Sequence, residues 1–259
     1  MKEETLQTFK KHPPFIIETT LNSTEPKRYS QITKTKLLDN QINNIKILLQ
    51  NRIKLKIKTQ ITKQNINEIE TIKRRIESLG LKFRHNIILH SRLNHDNSPY
   101  RLRIEAEDAL RVKDNYGHFD EGHAYQFETK IKLKDLINKP KISKLLICAA
   151  GKDSFWIDTQ GRMFLCECLR KPYYNLMKKN NSVLNGFYLL NQIIQKWKFN
   201  SQNKCFKCYY RLICHWCPAR AYLETKNLRK PIKYFCDLTF QTLKANRVSP
   251  LNYPFNHKS

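Results

Sequence analysis

Along the first ninety residues the apolar positions switch between two periods. Pro14 to Leu21 (PFIIETTL) is a short apolar, β-branched run bounded by Pro13-Pro14 and Asn22-Ser23, which predicts a strand. Between Thr35 and Gln50, residues Leu37, Leu38, Ile42, Ile45, Leu48 and Leu49 recur at helical spacing. Ile53, Leu55, Ile57, Thr59 and Ile61 then alternate with charged or polar residues, the signature of a strand with one buried face. Asn65 is placed to cap a helix whose one face carries Ile66, Ile69, Ile72, Ile76 and Leu79, and Gly80 is placed to stop it. A third strand is expected over 82–90, whereas residues 2–13 are polar and read as a loose lead-in. Strand, helix, strand, helix, strand at this spacing means βαβ units and a parallel sheet, an α/β fold.

The rest of the chain reads differently. Residues 103–113 predict a helix through Ile104, Ala106 and Leu110, after which the chain to Lys144 reads as a connector. That connector holds His118, His123, Asp120 and Glu121, which we read as a solvated loop, because metal ligands need fixed geometry. Phe155-Trp156-Ile157-Asp158, a turn at Thr159-Gln160-Gly161 and then Arg162-Met163-Phe164-Leu165 predict a β-hairpin, with Gly161 supplying positive φ. Phe187 to Trp197 predicts a helix with Leu190, Ile193, Ile194 and Trp197 on its apolar face, and Ala219 to Thr225 a short one. The expected divisions are 1–113, a connector at 114–144, a cysteine-rich α+β domain at 145–240 and a tail at 241–259.

Composition changes this picture little. At 259 residues a substantial core is available, and no apolar run approaches the roughly 20 residues of a membrane span. Met1 to Lys11 is polar with no apolar signal core, so a cytoplasmic protein is expected. The net charge of +26 is spread along a chain heavy in Lys, Asn and Ile throughout. A field of that size attracts nucleic acid and acidic surfaces without specificity, but no arginine-rich arm or RNA-binding aromatic signature accompanies it.

The cysteines carry the chemistry. All eight lie between Cys148 and Cys236: Cys148, then Gly161 and Cys166 as C-x12-G-x4-C, Cys168, then Cys205-x2-Cys208-x5-Cys214-x2-Cys217 followed by Pro218, and finally Cys236. CxxC spacing lets two thiolates reach one metal centre from a single turn, so zinc and iron–sulfur sites both use it. Disulfides fit less well with the absence of a secretion signal. A zinc-stabilised, basic nucleic-acid-binding protein is the alternative from a different class. Eight thiolates suffice for two cubane clusters, and Cys217-Pro218 has the cysteine–proline ending of bacterial ferredoxin runs.

The order C-x12-G-x4-C, long gap, C-x2-C-x5-C-x2-C, gap, C resembles the SPASM domain, the auxiliary-cluster extension of radical S-adenosylmethionine enzymes that modify peptides and proteins. The family's third spacing is usually C-x3-C, and Cys214-His215-Trp216-Cys217 is one residue shorter. The resemblance implies two 4Fe-4S clusters. One would be held by Cys205, Cys208, Cys214 and Cys236, the other by Cys148, Cys166 and Cys217, with Cys168 completing it or leaving an open iron. Glu167 lies where some relatives place an acidic base, although an exposed hairpin-end glutamate is the simpler reading.

PFIIETTLNSTEPKRYSQIT, then KIKTQITKQNINEIETIKRRIESLGLKFR and HSRLN are similar to the second half of a radical S-adenosylmethionine barrel. By that resemblance Thr20 and Asn22 stand at a strand end that faces the cofactor, although such residues also serve simply as turn formers. The family's CxxxCxxC loop, which leaves one iron open to S-adenosylmethionine, does not occur here. The expectation is a truncated product that binds S-adenosylmethionine only if a separately encoded N-terminal half supplies that loop, with a peptide or protein as substrate. The first strand is then expected at a sheet edge, needing another polypeptide or the N-terminal segment to cover it.

Overall fold

The computed structural model describes residues 1–117, 143–178, 180–211 and 213–245. The histidine-bearing connector and the residues after 245 lie outside them, so the readings at His118, Asp120, Glu121 and His123 do too. The described residues form a mixed α/β structure of two compact units, one comprising 1–89, 102–105 and 112–117 and the other 90–101, 106–111 and the described residues of 143–245.

The first unit is built on a parallel sheet of β1 (Ile17–Thr20), β2 (Leu55–Gln60) and β3 (His85–Asn86), with β2 in the centre. Ile17 pairs with Leu55 and Thr59 with His85, both in parallel register. The period-two pattern lands as the sequence predicts: Ile53, Leu55, Ile57, Thr59 and Ile61 are all buried. Against them pack Leu38, Ile45 and Leu48 of α3 (Leu38–Gln50) and Ile72 and Ile76 of α4 (Ile69–Glu77). Thr59, the one polar inward residue of the row, donates from Oγ1 to the Leu21 carbonyl at 2.9 Å, so its burial leaves no unmet hydroxyl.

Four expectations need correction. Residues 2–13 are not a loose lead-in: α1 (Glu3–Lys11) is a helix, and its Leu6 and Phe9 pack against this core. Glu3 and Glu4 in its first turn and Lys10 and Lys11 in its last complement the helix dipole. A further helix, α2 (Pro26–Thr33), starts on a proline, the residue whose missing N–H costs nothing at that position. Asn65 does not cap α4. Its Oδ1 accepts from the Thr62 backbone N–H at 2.7 Å, and its Nδ2 donates to the carbonyls of Asn22 and Gln60 at 2.8 and 2.9 Å. The buried amide thus ties the ends of β1 and β2 together, and a 3-10 turn at Ile66–Glu68 opens the helix instead. The third strand is only two residues long, because Asn86 Oδ1 accepts from the Ile88 N–H and turns the chain away. The helix predicted over 103–113 runs as α5 (Ala106–Tyr116), while Arg103 is buried and donates to the Leu89 carbonyl.

The second unit contains the predicted hairpin. β4 (Trp156–Ile157) pairs antiparallel with β5 (Arg162–Phe164), and a third strand, β6 (Tyr174–Asn175), adds to the other side of β5. Asp158 closes the turn, its carboxylate accepting from the backbone N–H of Gln160 and Arg162 and from Arg162 Nε at 2.8 Å. Those hydrogen bonds, the Arg162 side chain first, hold its pKa below the usual carboxylate value. Gly161 has φ +70°, and a Cβ there would stand 2.5 Å from Met177 Cγ. Behind the sheet lies α6 (Val183–Gln195), capped by Ser182, whose hydroxyl accepts from the Asn185 N–H. Leu190 and Ile194 are buried against Met163 and Leu165, but Ile193, expected on the same face, points outward. Short α7 (Lys204–Lys207), α8 (Pro218–Thr225) and the unpredicted α9 (Lys233–Ala245) complete the unit. Among the described residues no helix is long and apolar enough to cross a membrane.

Two substitutions test this packing. Ile57→Ala empties the centre of β2 and is expected to lower unfolding stability by about 2–5 kcal/mol in a denaturant titration. Gly161→Ala forces a side chain into positive φ and against Met177, and is expected to cost about 1 kcal/mol or more in the same measurement.

Candidate metal centre

Four segments bring the thiols into the second unit. Asn203 caps α7, its Oδ1 accepting from the backbone N–H of Cys205 and Phe206 at 2.8 and 3.3 Å, while its Nδ2 donates to the Arg229 carbonyl. That double anchor fixes the buried Cys205 at the first turn of α7, and Cys208 follows as its C-cap, its N–H reaching the Cys205 carbonyl. Cys214 donates from Sγ to the Phe235 carbonyl at 3.7 Å, which places it beside the buried Cys236 on α9. Cys217 caps α8, its Sγ accepting from the Arg220 N–H at 3.3 Å. A helix N-terminus favours a thiolate there. Trp216, buried in the short Cys214–Cys217 link, donates from Nε1 to the Lys230 carbonyl at 2.8 Å and pins that link down.

The eight thiols fall into two groups by the charges they sense. Cys205 lies in the field of Cys214 and Cys208, and Cys236 in that of Cys214, Cys205 and Cys208. Cys217 lies in the field of Cys166 and Cys148, and Cys168 in that of Cys217. The β4–β5 hairpin thus returns Cys166 to the neighbourhood that Cys148 also shares. The thiol of Cys166 hydrogen-bonds the sulfur of Cys168; this bond, with burial, pushes Cys166 up, and it holds Cys168 down against burial. Among the described residues no set of three or more His, Cys, Asp or Glu side chains is placed to hold a single metal ion.

Burial dominates the remaining thiols. It pushes Cys205 up to about 12 and Cys208 up to about 11, and it raises Cys236 and Cys217 as well. Two guanidinium groups oppose it. Arg220 draws Cys217 and Cys168 down, and Arg211 does the same for Cys205 and Cys208. Neither arginine is legible as functional in the sequence, where both look like ordinary basic residues of a basic chain. Asn203 was findable, because an asparagine two residues before Cys205 is a strong helix-start signal. Glu167 is exposed, and its backbone carbonyl accepts from Arg170 Nε at 3.0 Å.

Thr20 and Asn22 lie in the first unit, both on the wall of a cavity of about 630 Å³ with Met1, Phe9, Gln41 and Asn44. Gln41 Nε2 donates to the Thr20 carbonyl. Asn22 Oδ1 accepts from the Gln60 backbone N–H at 2.9 Å, so that oxygen is spent on joining β1 to β2. Met1 at the start of the chain donates from its amine to Asn44 Oδ1, placing the N-terminal segment on the same cavity beside β1. No family model matches this chain, and no curated protein does.

The metal-free chain has a defined pH response. Cys205 and Cys208 hold their protons more tightly folded than unfolded, where a thiol titrates near 9. Their contribution is therefore complete below pH ~9 and disappears as pH rises toward 11–12, because the unfolded chain then binds fewer protons. Thermal melts of metal-stripped protein are expected to fall in midpoint over that window, and a flat profile contradicts the burial of these thiols. Asn203→Ala is expected to cost about 0.5–2 kcal/mol of stability in a denaturant titration.

Proposed function

We propose that the chain is an iron–sulfur protein of radical S-adenosylmethionine enzyme descent, a second-half barrel segment followed by a SPASM-like domain that holds two 4Fe-4S clusters. The observation that carries this is that the fold gathers all eight free thiols, from segments up to 88 positions apart, into one unit. The resemblance implies one set of Cys205, Cys208, Cys214 and Cys236 and another of Cys148, Cys166 and Cys217, with Cys168 completing it or leaving an open iron.

The donor set, eight free thiols in one unit, is large enough for two four-thiolate clusters. A zinc site asks four sulfurs to lie about 2.3 Å from one ion, whereas a cubane gives each thiolate its own iron. Such clusters supply one-electron transfer, at potentials set by burial and by hydrogen bonds to sulfur. Around them, this chain's own residues do three things. Asn203 and the Phe235 carbonyl hold Cys205 and Cys214 in place, the N-terminus of α8 favours ionised Cys217, and Trp216, Phe235 and Tyr210 keep water out.

With no CxxxCxxC loop in its sequence, the chain by itself serves as an electron-transfer or substrate-docking module rather than as the source of the radical. Its partners are a peptide or protein substrate and a polypeptide that carries the missing loop; S-adenosylmethionine binds only in that company.

Anaerobic purification is expected to give brown protein with about eight irons and eight sulfides per chain. Cys236→Ser and Cys217→Ser are each expected to remove about four of the irons. Colourless protein with stoichiometric zinc would establish the zinc-stabilised, nucleic-acid-binding alternative instead. After reduction with S-adenosylmethionine present, the isolated chain is expected to release no 5′-deoxyadenosine, and clear turnover refutes the module reading.

A further inference from the structure

The exposed apolar surface of the second unit is gathered on its small sheet and on α6. Of the fourteen large apolar side chains exposed among the described residues, ten lie between Phe155 and Ile193, a clustering that marks an interaction surface. Leu184 and Tyr188, one helical turn apart on α6, are 62% and 60% exposed. Phe155 stands beside them. Its ring centre lies 6.2 Å from that of Phe187, which lies 6.5 Å from that of Tyr188, so sheet edge and helix share one surface. Residues 180–195 hold no charged side chain, in a chain of which 27% is charged.

That surface includes an open strand edge. β4 pairs with β5 on one side and is the edge strand of its sheet. The Asp158 N–H donates to the Arg162 carbonyl at 3.1 Å, and this bond sets the phase of the ladder. Bonded pairs alternate from there, so Trp156 bonds Phe164, while the backbone N–H and C=O groups of Ile157 and Phe155 point away from β5. Those groups carry no hydrogen bond among the described residues. Edge strands are commonly blunted by a charge or a proline, and Ser154 to Ile157 has neither. Ile157 is paired with the buried Met163, which packs on Leu190 of α6, so Ile157 and Phe155 face the helix side. Trp156, paired with Phe164, faces the other side.

We propose that the edge of β4, with α6 beside it, docks an extended peptide segment, apolar at its centre and acidic at its flanks, as a fourth strand of the sheet. The peptide backbone takes up the outward groups of Phe155 and Ile157, and its alternate side chains lie against Phe187 and Tyr188 or against Trp156. Charge selects the flanks. Lys178 and Lys196 bracket α6, and Arg162 lies over the exposed Tyr173, 5.7 Å from its ring centre. Of the nearby acids, Asp158 is already paired with Arg162 and Arg170, and Asp153 adjoins Lys152. A lipid surface would cover the same side chains but leave the edge donors unpaired. A second copy would bring +26 against +26. The inference deepens the docking-module reading and rests on it for the peptide's role as substrate.

The test is fluorescence anisotropy of the full chain with labelled peptides. Each has a centre of about six residues, the length of one strand, in which Val, Ile, Leu or Phe alternates with Thr between flanking glutamates. Ile157→Pro removes an N–H that the sheet does not use, and is expected to weaken binding about tenfold or more, as is Tyr188→Ala. N-methylation of alternate peptide amides is expected to do the same with wild-type protein, which decides the matter if a variant fails to fold. A glycine–serine centre between the same glutamates is expected to bind at least about tenfold more weakly. Equal binding there reduces the contact to charge attraction and overturns the proposal, as does no binding by any peptide of the set. Self-association abolished by Ile157→Pro, without peptide binding, assigns the edge to a second copy instead. Binding to phosphatidylglycerol vesicles that Ile157→Pro leaves unchanged, without peptide binding, assigns the face to lipid. Iron analysis of the same preparations keeps the two readings apart. Peptide binding by iron-free protein upholds the site and removes the clusters, and iron-loaded protein that binds no peptide does the reverse.

Discussion

Burial of sulfur is the constraint on which the second unit depends. A thiolate taken out of water loses hydration worth several kcal/mol, and thiolates gathered together also repel one another. Both effects appear in the upward shifts of Cys205, Cys208, Cys217 and Cys236. Neutral thiols would be the cheap state of this interior. The chain nevertheless places the guanidinium groups of the buried Arg211 and the half-buried Arg220 where they draw some of these thiols back down.

Positioning comes from devices that use little sequence. Short helices deliver Cys205 and Cys217 at their ends, where caps rather than long hydrophobic faces define the geometry. A hairpin with one obligatory glycine returns Cys166 toward the segment that carries Cys148. The carbonyl of Phe235 draws Cys214 to α9 and so to Cys236. Each device is local, but the thiols they aim are separated by up to 88 positions, from Cys148 to Cys236. Loops of that length close at an entropic cost that grows only slowly with their length.

The first unit shows what periodicity predicts and what it misses. The alternation from Ile53 to Ile61 names five buried residues correctly, because a strand with one covered face allows a single register. The isoleucines of α4 are read equally well. The misses are at polar residues. Asn65 and Asn86 look like a cap and a strand member, yet each bonds backbone groups that only the folded sheet brings near. α1 was hidden because two apolar residues, Leu6 and Phe9, are too few to register as a pattern until a core receives them.

The amino-acid order by itself determined the α/β character, the parallel strand pairs, the hairpin and the concentration of every thiol in one stretch. These follow from local spacing, which acts over one or two turns of chain. Which thiols share a neighbourhood, which asparagines join strands, and that Arg211 lies buried were decided by the tertiary structure alone. Field, burial and hydrogen-bond satisfaction depend on distance through space, and the linear order of residues does not carry that distance.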